Sequence, residues 1–236
     1  MKHQQLMAHR GGTEFGPDNS LEAIKVSLEK GYDMIELDLR KSKDGVVFCF
    51  HGSSKQFVLF KIFFKHLTFE QFKKKFPFVT TLREIIETIN NRANIFLDIK
   101  DEDITEDELL GIFKGIETRE VILARIKLDY LKKFKRLPAN WIKVQNGASV
   151  FKPNLNDLNE AGVKIWESMI WGYTKSNIKL LKENGIEAQP VSWFMSKTKY
   201  FNLCKRDNTV WFNTDRLPKN AIEEIVASRK GVAMQS

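Results

Sequence analysis

Short apolar runs alternate with amphipathic stretches from one end of this 236-residue chain to the other. Residues 6–9, 33–40, 46–51, 94–100, 121–125, 141–145, 163–167, 188–192 and 210–213 read as strands, by apolar runs bounded by turn residues. Between them 19–30, 81–91, 106–115, 128–134, 154–160, 176–184, 199–205 and 217–228 read as helices. The first helix carries Asp18 or Asn19 as its expected N-cap and Gly31 just past its end. Strand and helix in alternation imply a parallel sheet with helical crossovers. About eight such units in a chain of this size predict a (β/α)8 TIM barrel, with residues 1–236 as one domain. A doubly wound open sheet is the competing architecture. Gly11-Gly12 follows the first strand, but no Gly-x-Gly-x-x-Gly fingerprint accompanies it.

One segment breaks the rhythm. Residues 55–78 hold eight Phe and six Lys between the run ending at His51 and the helix starting near Thr81. They read as a small insertion at the barrel mouth. Phe57, Phe60, Phe63 and Phe64 recur at near-helical spacing with Lys61 and Lys65 among them. Such an element could make peripheral contact with an anionic membrane or cover a lipid tail. It could equally be a cap packed on the barrel with its lysines in water.

The net charge of +8 favours anionic partners: phosphate esters, anionic lipid or nucleic acid. Simple solubility gives the same charge, and no recognisable nucleic-acid motif accompanies it, so no nucleic acid is expected as a partner. Cys49 and Cys204 are too few for a disulfide framework, which points to a reducing compartment. No apolar run approaches the roughly 20 residues that span a bilayer. The polar start Met1–Gln5 lacks the apolar core of a signal peptide, so the expected location is cytoplasmic. Oligomeric state leaves no mark in the sequence.

The chemistry lies at strand ends. In Ile35-Glu36-Leu37-Asp38-Leu39, residues two apart share a face, so Glu36 and Asp38 point one way and the apolar residues the other. Two carboxylates on a buried face are costly unless paired or bound to a cation. A hard divalent ion, Mg2+ or Ca2+, satisfies them through oxygen ligands; an edge strand with a solvated acidic face gives the same pattern. Asp98 and Lys100 repeat the arrangement between Leu97 and Ile99, either as a third metal carboxylate with a cation for a phosphate oxygen, or as a structural ion pair. His9 and His51 close their runs, each followed by glycine or by Arg10 and glycine. Barrel enzymes carry their chemistry at the C-terminal ends of strands. Phosphodiester cleavage needs a base for the attacking oxygen and an acid for the leaving one. Arg10 offers a bidentate fork to phosphate. His3 and His66 lack such neighbours and read as structural.

His9-Arg10-Gly11-Gly12, Pro17-Asp18-Asn19-Ser20, Glu36-Leu37-Asp38, Ser42-Lys43-Asp44-Gly45 and Phe50-His51 resemble, in order and spacing, the glycerophosphodiester phosphodiesterase family. Leu97-Asp98-Ile99-Lys100, Trp193 and Asn213-Thr214-Asp215-Arg216 extend the resemblance more weakly over most of the chain. It implies a TIM-barrel enzyme of glycerol and lipid metabolism that uses one divalent cation, Mg2+ or Ca2+, to hydrolyse a small-molecule phosphodiester. Glu36, Asp38 and Asp98 fall on the metal-binding positions, Arg10 and Lys100 on phosphate-binding positions, Trp193 on the substrate pocket. His9 falls on the base or nucleophile and His51 on the acid. The attacking hydroxyl is then water or a neighbouring hydroxyl of the substrate. The chain departs from the family's usual residues at His51-Gly52, where His-Asp is common, and at Asp98, where Glu is. Both departures are similar to the sphingomyelinase D and phospholipase D toxins of the same superfamily. The departures leave the substrate open between a water-soluble glycerophosphodiester and a lipid, with a phosphate-binding module that has lost catalysis as the non-enzymatic alternative.

Overall fold

A computed structural model describes residues 4–51, 66–148, 152–191, 195–218 and 220–226. In chain order the elements are β1 (Gln5–Ala8), α1 (Leu21–Glu29), β2 (Met34–Lys41), β3 (Val47–Cys49), α2 (Phe69–Lys75), α3 (Leu82–Ile89), β4 (Asn94–Ile99), α4 (Glu106–Phe113) and β5 (Val121–Ala124). They continue with α5 (Leu128–Leu131), β6 (Trp141–Ala148), α6 (Leu155–Ala161), β7 (Val163–Ser168), α7 (Lys175–Glu183), β8 (Glu187–Pro190), α8 (Lys197–Asp207) and β9 (Trp211–Asn213). Local chemistry sets several of these boundaries. Thr81 and Glu84 close a capping box at the start of α3, and Thr105 and Glu108 do so for α4. Along α3, Leu82, Ile85, Ile86 and Ile89 form the stripe that faces the sheet.

Eight strands run parallel in the order β8-β7-β6-β5-β4-β2-β1-β9, a nearly closed barrel with its helices outside. At the seam between β8 and β9 a side chain stands in for the backbone ladder. The fully buried Gln189 donates from Nε2 to Trp211 O (3.1 Å) and accepts at Oε1 from Val210 N (3.1 Å).

The run 46–51 is not a barrel strand. Its core, β3, turns back antiparallel on β2, pairing Leu39 with Cys49 and Lys41 with Val47. The turn is too short to hold the crossover that a parallel strand needs. Ser42 Oγ accepts from Val46 N, Gly45 takes φ +84°, and Asp44 accepts from Phe69 N at 2.9 Å. Since β2 pairs with β4 along its other edge, β3 occupies the edge above the point where β1 ends. The reversal carries the chain back down until Phe50 N bonds to Asp38 O (2.9 Å), and this delivers His51 to the level of Asp38.

The insertion divides in two. Residues 52–65, with Phe57, Phe60, Phe63 and Phe64, lie outside the described residues. In residues 66–78, Phe69 and Phe72 of α2 are buried against Phe48 and Phe50, and Phe76 and Phe78 pack on the same cluster. Packing on the hairpin thus accounts for the aromatic content of this half. Among the described residues no helix is long and apolar enough to cross a membrane.

The period of two along the strands sorts side chains between two cores. Ile35, Leu37, Leu39, Ile95, Leu97 and Ile99 face the helices in the larger one. Met7, Met34, Phe96, Ile122, Ala124, Val144, Ile165 and Trp211 fill the barrel interior. On β2 and β4 the inward series then changes character, from Met34 to Glu36 and Asp38, and from Phe96 to Asp98. An apolar plug lies beneath a polar layer at the C-terminal mouth.

Candidate active site

Asp38 and Asp98 sit opposite each other in the β2–β4 register, and Glu36 lies one inward position below Asp38. Glu36 and Asp38 are 3% and 1% exposed, so the solvated-edge reading of this strand does not apply. Carboxylate oxygens of Glu36, Asp38 and Asp98 approach within 4.8 Å of one another. Hard oxygen donors converging in this way suit a divalent cation. Burial and the charge of Asp38 push Glu36 up to about 8. A trio in which one member is held back from ionising is short of positive charge, and the site therefore fits a metal on its electrostatics as well as its donors.

Lys100 supplies part of that charge. Its Nζ donates to Asp98 Oδ2 and to Asp38 Oδ1, the latter at 3.0 Å. Burial alone would lower its pKa, but Asp98, Asp38 and Glu36 together raise it, and Lys100 stays an ammonium. Asp38 also faces burial, yet Lys100, His51, Arg10 and a bond from Asn19 hold it well below the ordinary carboxylate range.

The turn after β1 builds the next group. Arg10 (φ +51°), Gly11 (φ +78°) and Gly12 (φ +107°) are left-handed in succession. A Cβ on Gly12 would stand 2.2 Å from Ser27 Oγ, and one on Gly11 2.8 Å from Ile24 Cγ1, so α1 packs too closely for any side chain here. Arg10 carries the strain of a left-handed non-glycine residue. This conformation aims its N–H at Glu36 Oε2 (2.6 Å). Its guanidinium donates to Asp18 Oδ2 (3.0 Å) and to His51 Nε2 (3.0 Å), with Nε 3.8 Å from Asp38.

On the other side, His9 Nδ1 donates to Asp215 Oδ2 (2.9 Å), leaving Nε2 toward Glu36 Oε2 (4.0 Å). Burial would lower the His9 pKa, but the Asp215 bond and the charges of Glu36 and Asp215 win and raise it to about 9. Asp215→Asn removes both the charge and the carboxylate acceptor. We expect the His9 pKa to fall back toward its ordinary 6.5, read by NMR titration of the imidazole protons. An unmoved titration would show that Asp215 does not hold the ring.

The structure thus brings together His9, Arg10, Glu36, Asp38, His51, Asp98 and Lys100. Trp193 and His3 lie outside the described residues, and His66 is exposed in the insertion. Some members escaped the sequence reading. Asn19, expected as a helix cap, is fully buried at φ +61° and clamps Asp38: its Nδ2 donates to Asp38 Oδ2 and its Oδ1 accepts from Asp38 N, both at 3.0 Å. Ser20 is the actual cap of α1. Asp215 belongs to the short turn after β9, fixed to β1 by the Thr214 hydroxyl on Met7 O (3.0 Å). Glu167, pushed up to about 8 by burial and by Asp98, enters the same cavity from the end of β7. It stands two residues after Ile165 of the interior core, but nothing local in the sequence sets it apart from other strand carboxylates. The cavity holds about 250 Å³ and is lined by His9, Glu36, Asp98, Lys100, Glu167 and Asn213 among others.

Fold and site together define a (β/α)8 barrel with an acidic trio, two of its members buried, two flanking histidines and two cationic side chains at its C-terminal mouth. The sequence model of the glycerophosphoryl diester phosphodiesterase family matches residues 9–190, and this chain belongs to that family. Glycerophosphodiester phosphodiesterase 1 of Bos taurus is 33% identical over 109 residues, a match taking in 40% of this chain and 33% of that protein. The chain thus spans about a third of the length of the curated relative it matches. The fold is shared with a glycerophosphodiester phosphodiesterase from Thermotoga maritima (TM-score 0.69, 20% identity, covering 90% of this chain and 95% of that one). It is shared also with a phosphodiesterase from Oleispira antarctica, solved with the product sn-glycerol-3-phosphate (TM-score 0.74, 16% identity, covering 95% and 97%).

Proposed function

We propose that this chain hydrolyses glycerophosphodiesters to an alcohol and glycerol phosphate, with one Mg2+ or Ca2+ held by Glu36, Asp38 and Asp98. The observation that carries the reading is the trio itself, three converging carboxylates walled in by His9, Arg10 and Lys100. When bound, the cation polarises a phosphoryl oxygen and offsets the charge that builds on it. Arg10 and Lys100 orient the remaining phosphate oxygens, Arg10 braced by Asp18 and Lys100 by Asp98. His9 and His51 divide the proton transfers, one taking a proton from the attacking hydroxyl and the other giving one to the leaving oxygen. Asp215 fixes the His9 ring with Nε2 turned toward Glu36, and Arg10 makes Nε2 of His51 an acceptor. Asn19 keeps Asp38 pointed inward.

A cavity of about 250 Å³ suits a small head group and lies below the 300–1,000 Å³ typical of sites for larger ligands. This favours a water-soluble glycerophosphodiester over a lysophospholipid or sphingomyelin. The test is turnover of glycerophosphocholine, lysophosphatidylcholine and sphingomyelin by the purified chain with added Mg2+ or Ca2+. Release of sn-glycerol 3-phosphate from glycerophosphocholine is the expected result. Cleavage of the lipids alone would overturn the substrate, and cleavage of none would overturn the activity.

A further inference from the structure

The end of β4 carries Asp98 and Lys100, and its backbone is held differently on its two sides. Toward β2 the ladder runs on through the site: Asp38 pairs with Asp98, Leu39 with Ile99, and Lys100 N donates to Leu39 O at 3.0 Å. Toward β5 the paired register stops at Asp98 and Ala124. A side chain takes over there. Arg125 Nη1 donates to Ile99 O (2.5 Å) and to Lys100 O (3.3 Å). Its Nη2 donates to Glu102 Oε1 (2.7 Å), in the loop that follows β4. The base of this fork is itself fixed to β6, where Arg125 N donates to Val144 O (3.1 Å) and Arg125 O accepts from Asn146 N (3.3 Å). Bonds from Lys127 and Arg125 hold Glu102 down to about 2, so this brace is charged at neutral pH.

Arg125 also lines the active-site cavity, and a cation there invites reading as a further contact to phosphate. Its donors argue against that. Nη1 is turned to the two carbonyls, Nη2 to Glu102, and Nε is buried. What the fork controls is Lys100. A lysine carries its charge on a flexible four-carbon stem, so the place of Nζ between Asp38 and Asp98 follows from where its backbone is held. We propose that Arg125 is a positioning residue for Lys100. Its guanidinium continues the β4 ladder past the last pair with β5, and so sets the height at which the ammonium meets phosphate. This role rests on the reading of Lys100 as a phosphate contact, and its test separates the two.

The test is a double-mutant cycle on the affinity for inorganic phosphate, measured by calorimetry on the full chain in a fixed excess of Mg2+. Lys100→Met should weaken binding about 10-fold or more, the usual range for losing a hydrogen bond to a charged partner. Arg125→Ala should weaken it about 10-fold when Lys100 is present, and less than about 2-fold once Lys100 is replaced, because residues that act through one another are not additive. A general loosening of the barrel, or a direct contact of Arg125 with phosphate, gives equal steps in the two backgrounds. Equal steps, or no loss from Arg125→Ala, overturn the proposal. Arg125→Lys keeps the charge but lacks the planar fork that spans two carbonyls and a carboxylate, so it should recover only part of the affinity. Full recovery would show that charge alone matters, and would overturn the positioning role. Should Arg125→Ala fail to fold, the same cycle with Arg125→Lys decides: a loss that vanishes once Lys100 is replaced supports the role, and no loss or an equal loss overturns it. Phosphate binding unchanged in Lys100→Met would remove the phosphate reading of Lys100 and the proposal with it. A loss in Lys100→Met but none in Arg125→Ala would leave that reading and remove the positioning role alone.

Discussion

Replacing either His9 or His51 by Ala should lower kcat on glycerophosphocholine by about 10²–10⁴-fold, the usual worth of one general acid–base group. Neither change should unfold the barrel. His9 lies at the mouth with 23% of its side chain exposed, and His51 closes the hairpin above the core. The loss should fall on kcat more than KM, because the phosphate is held by other groups. A nitrophenyl leaving group then separates the two histidines. Nitrophenolate, a far weaker base than an alkoxide, departs without a proton, so the variant lacking the acid recovers most of its rate on bis(p-nitrophenyl) phosphate, while the variant lacking the base stays slow. The family resemblance predicts recovery for the His51 variant, whereas the raised pKa of His9, which keeps its ring protonated at neutral pH, predicts it for the His9 variant, and this measurement decides between them. Recovery of both, or near-normal turnover of glycerophosphocholine by either, would remove the histidines from the proton transfers.

What could be read in the sequence was what repeats locally. The period of two put Glu36 and Asp38 on one face of a strand, and the structure makes that face the barrel interior. Strand and helix alternation led to the parallel barrel because each crossover leaves its own run of 3.6- and 2-residue spacing. The hairpin 46–51 was legible as a strand, but its direction is decided by a turn of a few residues and by pairing to an edge that β1 vacates. Asn19 shows the same limit. Its residue type suits a helix cap, and only the fold reveals that Ser20 caps while Asn19 clamps Asp38. The His9–Asp215 pair joins residues 206 apart, through a turn whose place depends on barrel closure. No local pattern carries that. Nor does any announce Glu167, whose meaning depends on what stands across the cavity.

Chelation should have an effect as large as loss of a histidine. EDTA should reduce turnover of glycerophosphocholine by several orders of magnitude, and Mg2+ or Ca2+ should restore it, because the trio of Glu36, Asp38 and Asp98 is built around charge that the protein supplies only in part. Thermal stability gives an independent readout, with a sign set by the same groups. Glu36, pushed up to about 8 by burial and by Asp38 and Asp98 against the pull of His9 and Lys100, binds a proton in the folded state that it lacks when unfolded. Its contribution to stability is complete below its ordinary value of 4.5 and is lost as pH rises through 8. His9, raised to about 9, and Glu167, raised to about 8, act in the same direction. Asp38, held low, is already ionised across this window and adds no slope there. The metal-free protein should therefore lose Tm steadily from pH 5 to pH 9. A cation binds ionised carboxylates and displaces the Glu36 proton, so its affinity rises over the same window. At a hundred times its Kd a ligand stabilises by about 2.7 kcal/mol. The Tm increment from a fixed cation concentration should be small at pH 5 and grow toward pH 8. Glu36→Gln, which cannot ionise, should reduce the metal-free slope to the part set by His9 and Glu167 and should flatten the growth of the increment. A pH-independent increment, or none at any pH, would show that these carboxylates do not hold the ion.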